Sequence, residues 1–173
     1  MEFLLAGFAD IPQLVELRLV YLEEDRGPLD LSQRSVFSER LFTYFQEHLN
    51  KGLFAYSIKE PTLGQIVSIV LLQVVERPPN FSFPTGRTGT LLNVYTRPEF
   101  RRKGFASALT RQVIADAPTY FLSFLELSAT PAGLSLYEKL GFLKKSSHYT
   151  EMKLPLLIED RREPDIGKGG KCL

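Results

Sequence analysis

Thr90-Leu91-Leu92-Asn93-Val94-Tyr95-Thr96, followed after four residues by Arg101-Arg102-Lys103-Gly104-Phe105-Ala106, decides how this chain is read. The first run is apolar and strand-like, and the second opens a helix-like stretch from Phe105 to Ala117. A strand that runs through a glycine turn into a helix aims several free backbone N–H groups at one point. The positive end of the helix dipole adds to them, so the turn suits an anion, most commonly phosphate. Gly104 allows close approach of backbone to ligand, small Ala106 keeps the first helical turn open, and Arg101, Arg102 and Lys103 add charge at the mouth. In isolation such a hexapeptide also suits a solvated turn. Neither Gly-x-x-x-x-Gly-Lys-Ser/Thr nor Gly-x-Gly-x-x-Gly occurs in the chain, so P-loop and Rossmann readings lose their main support.

A second segment changes the balance. A strand-like run from Tyr120 to Ser128 leads through Ala129-Thr130-Pro131-Ala132-Gly133 into Leu134-Ser135-Leu136-Tyr137-Glu138-Lys139-Leu140-Gly141-Phe142. Arg101-x-x-Gly104-x-Ala106 after a strand, with Leu136 to Phe142 downstream, resembles the GCN5-related N-acetyltransferase (GNAT) family. The first motif is similar to that family's Arg/Gln-x-x-Gly-x-Gly/Ala pyrophosphate loop, and the second to its tyrosine-bearing helix and the Gly-Phe after it. The similar region runs from about Thr90 to Leu154. Two positions depart from the family pattern: Thr130 stands where Asn is frequent, and Gly133 where Ala is frequent.

The resemblance implies acetyl-CoA, or another short acyl-CoA, as donor and an amine-bearing small molecule or peptide as acceptor, with direct attack on the thioester. It implies that amides of Arg102, Lys103, Gly104, Phe105, Ala106 and Ser107 hold the pyrophosphate, with Arg101 adding charge. It also places pantetheine along the strand edge at Val94, Tyr95 and Thr96, and gives Thr130 a cofactor contact. Tyr137 matches the family's general acid; a packing tyrosine whose hydroxyl reaches water is the other reading. Acyl transfer needs a neutral amine, and with an ammonium pKa of ~10 only about a thousandth is neutral at pH 7. A base therefore helps, but none declares itself among Glu23, Glu24, Asp25, Glu76 and Glu126. The acidic trio at the first helix end could instead attract a cationic acceptor. In the loop before the motif strand, Phe81 and Phe83 are candidates to line the acceptor pocket.

Composition narrows the alternatives. A length of 173 residues with 44% hydrophobic and 24% charged content suits one folded domain with a substantial core. A net charge of +1, with the basic residues gathered in one turn, disfavours a nucleic-acid-binding module. A single cysteine, Cys172, allows no intrachain disulfide and no cysteine-based metal cluster, and His48 and His148 lack a ligand pattern, so no metal is expected. No run approaches the ~18 apolar residues of a membrane span, and the apolar start lacks a basic leader, so a cytoplasmic location is the expectation. A CoA-binding sensor or regulatory domain without turnover is the alternative function, because a fold does not guarantee chemistry. A homodimer through sheet edges is compatible with the resemblance.

The remaining elements follow from periodicity. Strands are expected at Glu2–Phe8, Leu53–Lys59 and Gly64–Val75, the last apolar enough to sit centrally in a covered sheet. Helices are expected from Asp10 and Pro12 to about Glu24, and from near Ser32 to Asn50, where Phe37, Leu41, Phe45 and Leu49 recur every four residues. Arg77 to Gly89 reads as a long loop, Ala132–Leu140 as a short helix, and Phe142–Lys145 with His148–Leu154 as a final strand pair. The order implies an α/β fold. The resemblance makes its central sheet mixed and largely antiparallel, with helices on both faces and two central strands splayed apart. The transferase domain is expected to span 1–154, with a charged Pro/Gly-containing tail over 155–173.

Overall fold

The computed structural model describes residues 2–145 and 149–156. The chain divides into two compact units, 1–142 and 143–173. Among the described residues, the helices and strands lie in the first: β1 (Glu2–Leu5), α1 (Ile11–Arg26), α2 (Leu31–His48), β2 (Leu53–Glu60), β3 (Gln65–Glu76), β4 (Arg87–Thr96), α3 (Phe105–Asp116), β5 (Leu125–Glu126) and α4 (Leu134–Lys139). The strands lie in sequence order in one sheet; the first three pairings are antiparallel and β4–β5 is parallel. This is the mixed, largely antiparallel α/β architecture expected from the sequence.

The expected central strand is central. Ile66 to Leu72 of β3 are all buried, because both faces of the sheet are covered. On one face Ile69, Leu71 and Tyr95 pack against Leu14 and Leu17 of α1 and Phe45 of α2. On the other, Val67, Val70, Leu72 and Leu91 pack against Leu109 and Val113 of α3. Each such aliphatic side chain contributes about 1.5–3 kcal/mol when fully buried. The helix starts have local causes. Asp30 caps α2, accepting from the Gln33 amide at 2.8 Å, and the Gln33 side chain accepts from the Asp30 amide in return. Asp10 does not cap α1: its carboxylate accepts from the Gly7 amide at 3.0 Å and from Lys59 at 2.6 Å.

Three expected elements differ. The run from Tyr120 to Ser128 forms a strand only at Leu125–Glu126; residues Ala117–Tyr120 extend α3 as a 3-10 turn, and Phe121 (φ 56°) turns the chain away from an extended path. The loop after β3 is shorter than expected, because β4 begins at Arg87. Asn80 organises that loop, its side-chain oxygen accepting from the amides of Ser82 and Phe83, and the Arg77 amide bonds Gly86 at 2.8 Å across its base. In the second unit, 143–145 and 149–156 carry no helix or strand. Phe142–Lys145 is therefore not a strand, and neither is 149–154. Nothing apolar alternates over those residues strongly enough to fix a register. His148 lies outside the described residues.

Candidate active site

The site begins where two strands part. β5 pairs with β4 only at Gly89↔Leu125 and Thr90↔Glu126, so among the described residues the ladder on that side of β4 ends at Thr90. Gly89 permits the close approach: a Cβ there would lie 2.6 Å from Leu125, 2.7 Å from Leu122 and 2.9 Å from Leu72. Three residues beyond Thr90 the strand bulges. Ile69 faces Tyr95 but Leu71 faces Leu92, so one residue of β3 opposes both Asn93 and Val94. Asn93 takes the left-handed conformation (φ 49°). Parting and bulging together leave Val94, Tyr95 and Thr96 on an unpaired strand edge, the kind of backbone that an extended ligand pairs with.

Beyond that edge the chain turns into α3. Arg102 (φ 63°) and Gly104 (φ 80°) are both left-handed, and open space surrounds Gly104 where a Cβ would stand. Gly104 is the N-cap residue and offers no side-chain cap. The first helical bond into it comes from the Ala108 amide, at 2.9 Å. The amides of Phe105, Ala106 and Ser107 therefore have no intrahelical acceptor, and the turn fits a diphosphate. Arg102 and Lys103 are exposed at its mouth, Lys103 lying 4.9 Å over the Phe100 ring. Arg101 points elsewhere. Its Nε donates to the Thr96 carbonyl at 2.9 Å, and its guanidinium bonds both Glu24 oxygens at 2.9 and 2.6 Å while lying 5.4 Å over the Tyr95 ring.

Tyr137 sits on α4, buried, with its ring edge-on to Phe142 at 5.9 Å. Gly141 (φ 93°) ends the helix and returns the Phe142 amide to the Tyr137 carbonyl at 3.0 Å, which explains the Gly-Phe after the tyrosine. Gly133 leaves room for the ring: a Cβ there would stand 3.2 Å from it. Burial pushes the Tyr137 hydroxyl up to about 12, with the nearby Tyr21 phenol acting in the same direction. Tyr21 in turn packs edge-on against Tyr95 at 6.4 Å. The Tyr95 hydroxyl donates to Glu24 at 2.8 Å, and burial followed by that bond raises it to about 12. Thr130 is exposed, and its hydroxyl oxygen accepts from the Gly133 amide at 3.2 Å, so it shapes the start of α4.

The acidic candidates separate by position. Glu76 pairs in register with Arg87, seven residues before the unpaired edge begins at Val94, so at about 3.3 Å per residue it lies roughly 23 Å from that edge. Glu126 faces Thr90 at the closed end of the β4–β5 pair and lies 3.7 Å from Arg77. Of the trio at the end of α1, Glu24 bonds the strand-edge residue Tyr95, and arginines meet all three: Glu23 binds Arg34, Glu24 binds Arg101 and Asp25 binds Arg26. The trio is therefore not a free negative patch for a cationic acceptor. Phe81 is fully exposed and Phe83 packs edge-on against Phe124, so neither is recruited by these elements. No group of metal-ligating side chains occurs among the described residues.

Two residues absent from the sequence-based expectations join the site. Arg18 of α1 donates to the Asn93 side-chain oxygen at 3.1 Å and lies 5.4 Å over the Tyr21 ring. Asn93 is 4% exposed, and its amide nitrogen has no partner among the described residues, an omission that costs about 1–3 kcal/mol in a buried amide. The usable signal was spacing: Arg18, Tyr21 and Glu24 recur every three residues and so share a face of α1.

This geometry is that of a known class. The chain belongs to the Acetyltransferase (GNAT) family, whose model matches residues 15–142. A predicted acetyltransferase from Clostridium acetobutylicum, solved with acetyl-CoA, is 25% identical over 88% of this chain and 95% of its own, with a TM-score of 0.76. A GCN5-related N-acetyltransferase from Ralstonia eutropha JMP134 is 26% identical over 90% and 97%, with a TM-score of 0.70. A ribosomal-protein-alanine N-acetyltransferase from Brucella melitensis shares the fold at 22% identity over 88% and 100%, with a TM-score of 0.64. No curated protein matches by sequence. Family and neighbours together support acyl transfer from acetyl-CoA. No helix among the described residues is long and apolar enough to cross a membrane.

Proposed function

We propose that this chain is an acetyl-CoA-dependent N-acetyltransferase acting on an amine-bearing small molecule or peptide by direct attack. Bound acetyl-CoA supplies an activated acyl carbon: the amine nitrogen bonds to it, the carbon–sulfur bond breaks, the amine loses a proton, and the departing thiolate accepts one. The amides from Arg102 to Ser107 hold the pyrophosphate, with charge from Arg102 and Lys103. The edge at Val94, Tyr95 and Thr96 receives pantetheine, and an amide on it polarises the thioester carbonyl. Thr130 and the start of α4 border the same cleft.

Tyr137 donates a hydrogen bond to the departing sulfur, and the proton that the thiolate finally takes up comes from solvent. The Tyr137 pKa of about 12 lies far above the ~8.5 of an ordinary thiol. The phenol therefore keeps its proton at working pH and stabilises the thiolate mainly as a hydrogen-bond donor. With the α1 carboxylates all engaged by arginines, the amine proton passes to solvent, and turnover follows the neutral fraction of the acceptor. The observation that carries this reading is the meeting of an unpaired strand edge at Val94–Thr96 with the uncapped turn at Gly104, with Tyr137 buried on α4.

Thiol release with a panel of amines tests it. Tyr137→Phe should lower turnover about 10–1000-fold with little change in CoA affinity. Unchanged single-turnover rates would remove Tyr137 from the chemistry. Acetyl-CoA binding without amine-dependent thiol release would overturn the enzyme in favour of a regulatory CoA-binding domain.

A further inference from the structure

Arg18 stands out among the arginines of the α1 end. Arg26, Arg34 and Arg101 each bind a carboxylate there, whereas among the described residues no carboxylate lies within 4.0 Å of the Arg18 guanidinium. Its polar partner is the Asn93 side-chain oxygen, 3.1 Å from one terminal nitrogen, and its other close neighbour is the face of Tyr21. It is half-buried, and desolvation lowers its pKa despite the favourable influence of Tyr21, Asp25 and Tyr44. A guanidinium has five donors in a rigid fork, so most of this one's hydrogen-bonding capacity is unused. A partly desolvated cation in that condition is short of an anion.

Its place in the fold gives this arginine a meaning. Asn93 is the bulge residue of β4, directly before Val94 and Tyr95, and is held left-handed and buried with its amide nitrogen unpaired. Tyr21, beneath the guanidinium, touches Tyr95 and acts on Tyr137. Arg18 thus stands over Tyr21, which packs with Tyr95 on the α1 face of the sheet and links electrostatically to Tyr137, while α3 packs on the other face. Asn93 is a positioning residue: strand geometry fixes its oxygen, and the oxygen fixes the fork.

Resting on the N-acetyltransferase reading above, we propose that Arg18, oriented by Asn93, binds an anionic group on the acceptor, so that the substrate is an amine that also carries a carboxylate or phosphate. Selectivity then comes from a charge-assisted hydrogen bond that a neutral analogue cannot make.

The test pairs anionic amines with neutral counterparts: glycine, β-alanine, γ-aminobutyrate and O-phosphoethanolamine against glycinamide, β-alaninamide and ethanolamine. Thiol release and calorimetric binding to the CoA complex are measured for each. The wild-type protein should prefer one anionic set over its neutral partners by about 10–100-fold in kcat/KM, and the set preferred distinguishes carboxylate from phosphate. Arg18→Gln should abolish the preference mainly through KM, costing the anionic amines at least about tenfold more than their neutral counterparts, and Arg18→Lys should keep part of it. Asn93→Asp serves as a second variant should Arg18→Gln fold poorly. It retains a side chain that tolerates the left-handed position, supplies Arg18 with its own carboxylate, and should cancel the preference with the arginine present. Equal use of both sets by the wild type, no binding of any anionic amine, or an equal loss for all amines in Arg18→Gln overturns the proposal. Turnover of neutral amines in those cases leaves the transferase reading standing, whereas failure to bind acetyl-CoA at all strikes that reading first.

Discussion

The two sides of the candidate site are made of different material. The side proposed for CoA, Val94–Thr96 with the turn from Arg102 to Ser107, consists of backbone: an unpaired edge and uncapped amides, with Gly104 open around its Cα. The side proposed for the acceptor, Arg18, Tyr21, Glu24, Asn93 and Tyr95, consists of side chains bonded or stacked on one another. A backbone site tolerates most substitutions except those that change φ or fill the turn. A side-chain site changes chemistry with every substitution. One fold can therefore keep its donor while the acceptor varies, and the donor is the half that a sequence motif reveals.

Substitution of Tyr137, which belongs with the side-chain half, is expected to have the largest effect, and its pH behaviour sharpens the contrast. A hydrogen-bond donor near 12 does not ionise in the working range, so kcat/KM should climb as the acceptor amine deprotonates and show no descending limb below about pH 10. Tyr137→Phe should lower the whole profile without altering its shape. A falling limb near pH 8–9 that vanished in the variant would show a far more acidic phenol than burial dictates. The same shift has a sign for stability. Tyr95 and Tyr137 are raised to about 12 when folded, against ~10 when unfolded, so between those values the folded state holds more protons. Their contribution is complete below pH 10 and disappears as pH rises through 12, and urea midpoints measured from pH 8 to 12 should be flat at first and then fall.

Gly89→Ala comes next, on the strand that both sides share. The new methyl must displace Leu72, Leu122 and Leu125 together, in a buried position, at about 1–3 kcal/mol. Denaturant unfolding checks the loss. If the β4–β5 contact at Gly89 and Thr90 is what sets the parting beyond it, CoA affinity should weaken with the stability; affinity unchanged at full occupancy would mean the edge is held open by α3 alone.

The sequence disclosed these halves unequally. Strong periodicity located α1, α2, β2, β3 and α3 to within a few residues, and the burial of Ile66 to Leu72 follows directly from an unbroken apolar run. The turn at Gly104 and the short helix carrying Tyr137 were legible because both rest on local backbone and local packing. β5 was not: nine residues of good strand composition yield two in the ladder, since Phe121 turns left-handed and β4 bulges away at Asn93. Composition records neither event. Arg18 was equally hidden. An arginine amid the apolar positions of a helix looks like any solvated charge until the fold brings residue 93 beneath it, 75 residues along the chain. The ion pairs of Glu23 and Glu24 were hidden for the same reason, because their partners Arg34 and Arg101 lie outside that turn.

Arg101 is where the two materials meet, and replacing it should have the smallest effect. Its position in the pyrophosphate motif suggests a direct hold on the donor, yet its guanidinium braces the end of β4 to Glu24. Both members of that ion pair are more than a third exposed, so solvent and salt screen it to about 0–1 kcal/mol. Arg101→Ala should therefore weaken CoA binding by less than about threefold, with little dependence on ionic strength. It should have a clearer effect on the acceptor, because it releases Glu24 and leaves Tyr95 as that carboxylate's main partner. A tenfold, salt-dependent loss of CoA affinity in Arg101→Ala would reverse the assignment: the guanidinium would then leave Glu24 when CoA arrives, and the brace would be a resting state of the donor site and no part of the acceptor wall.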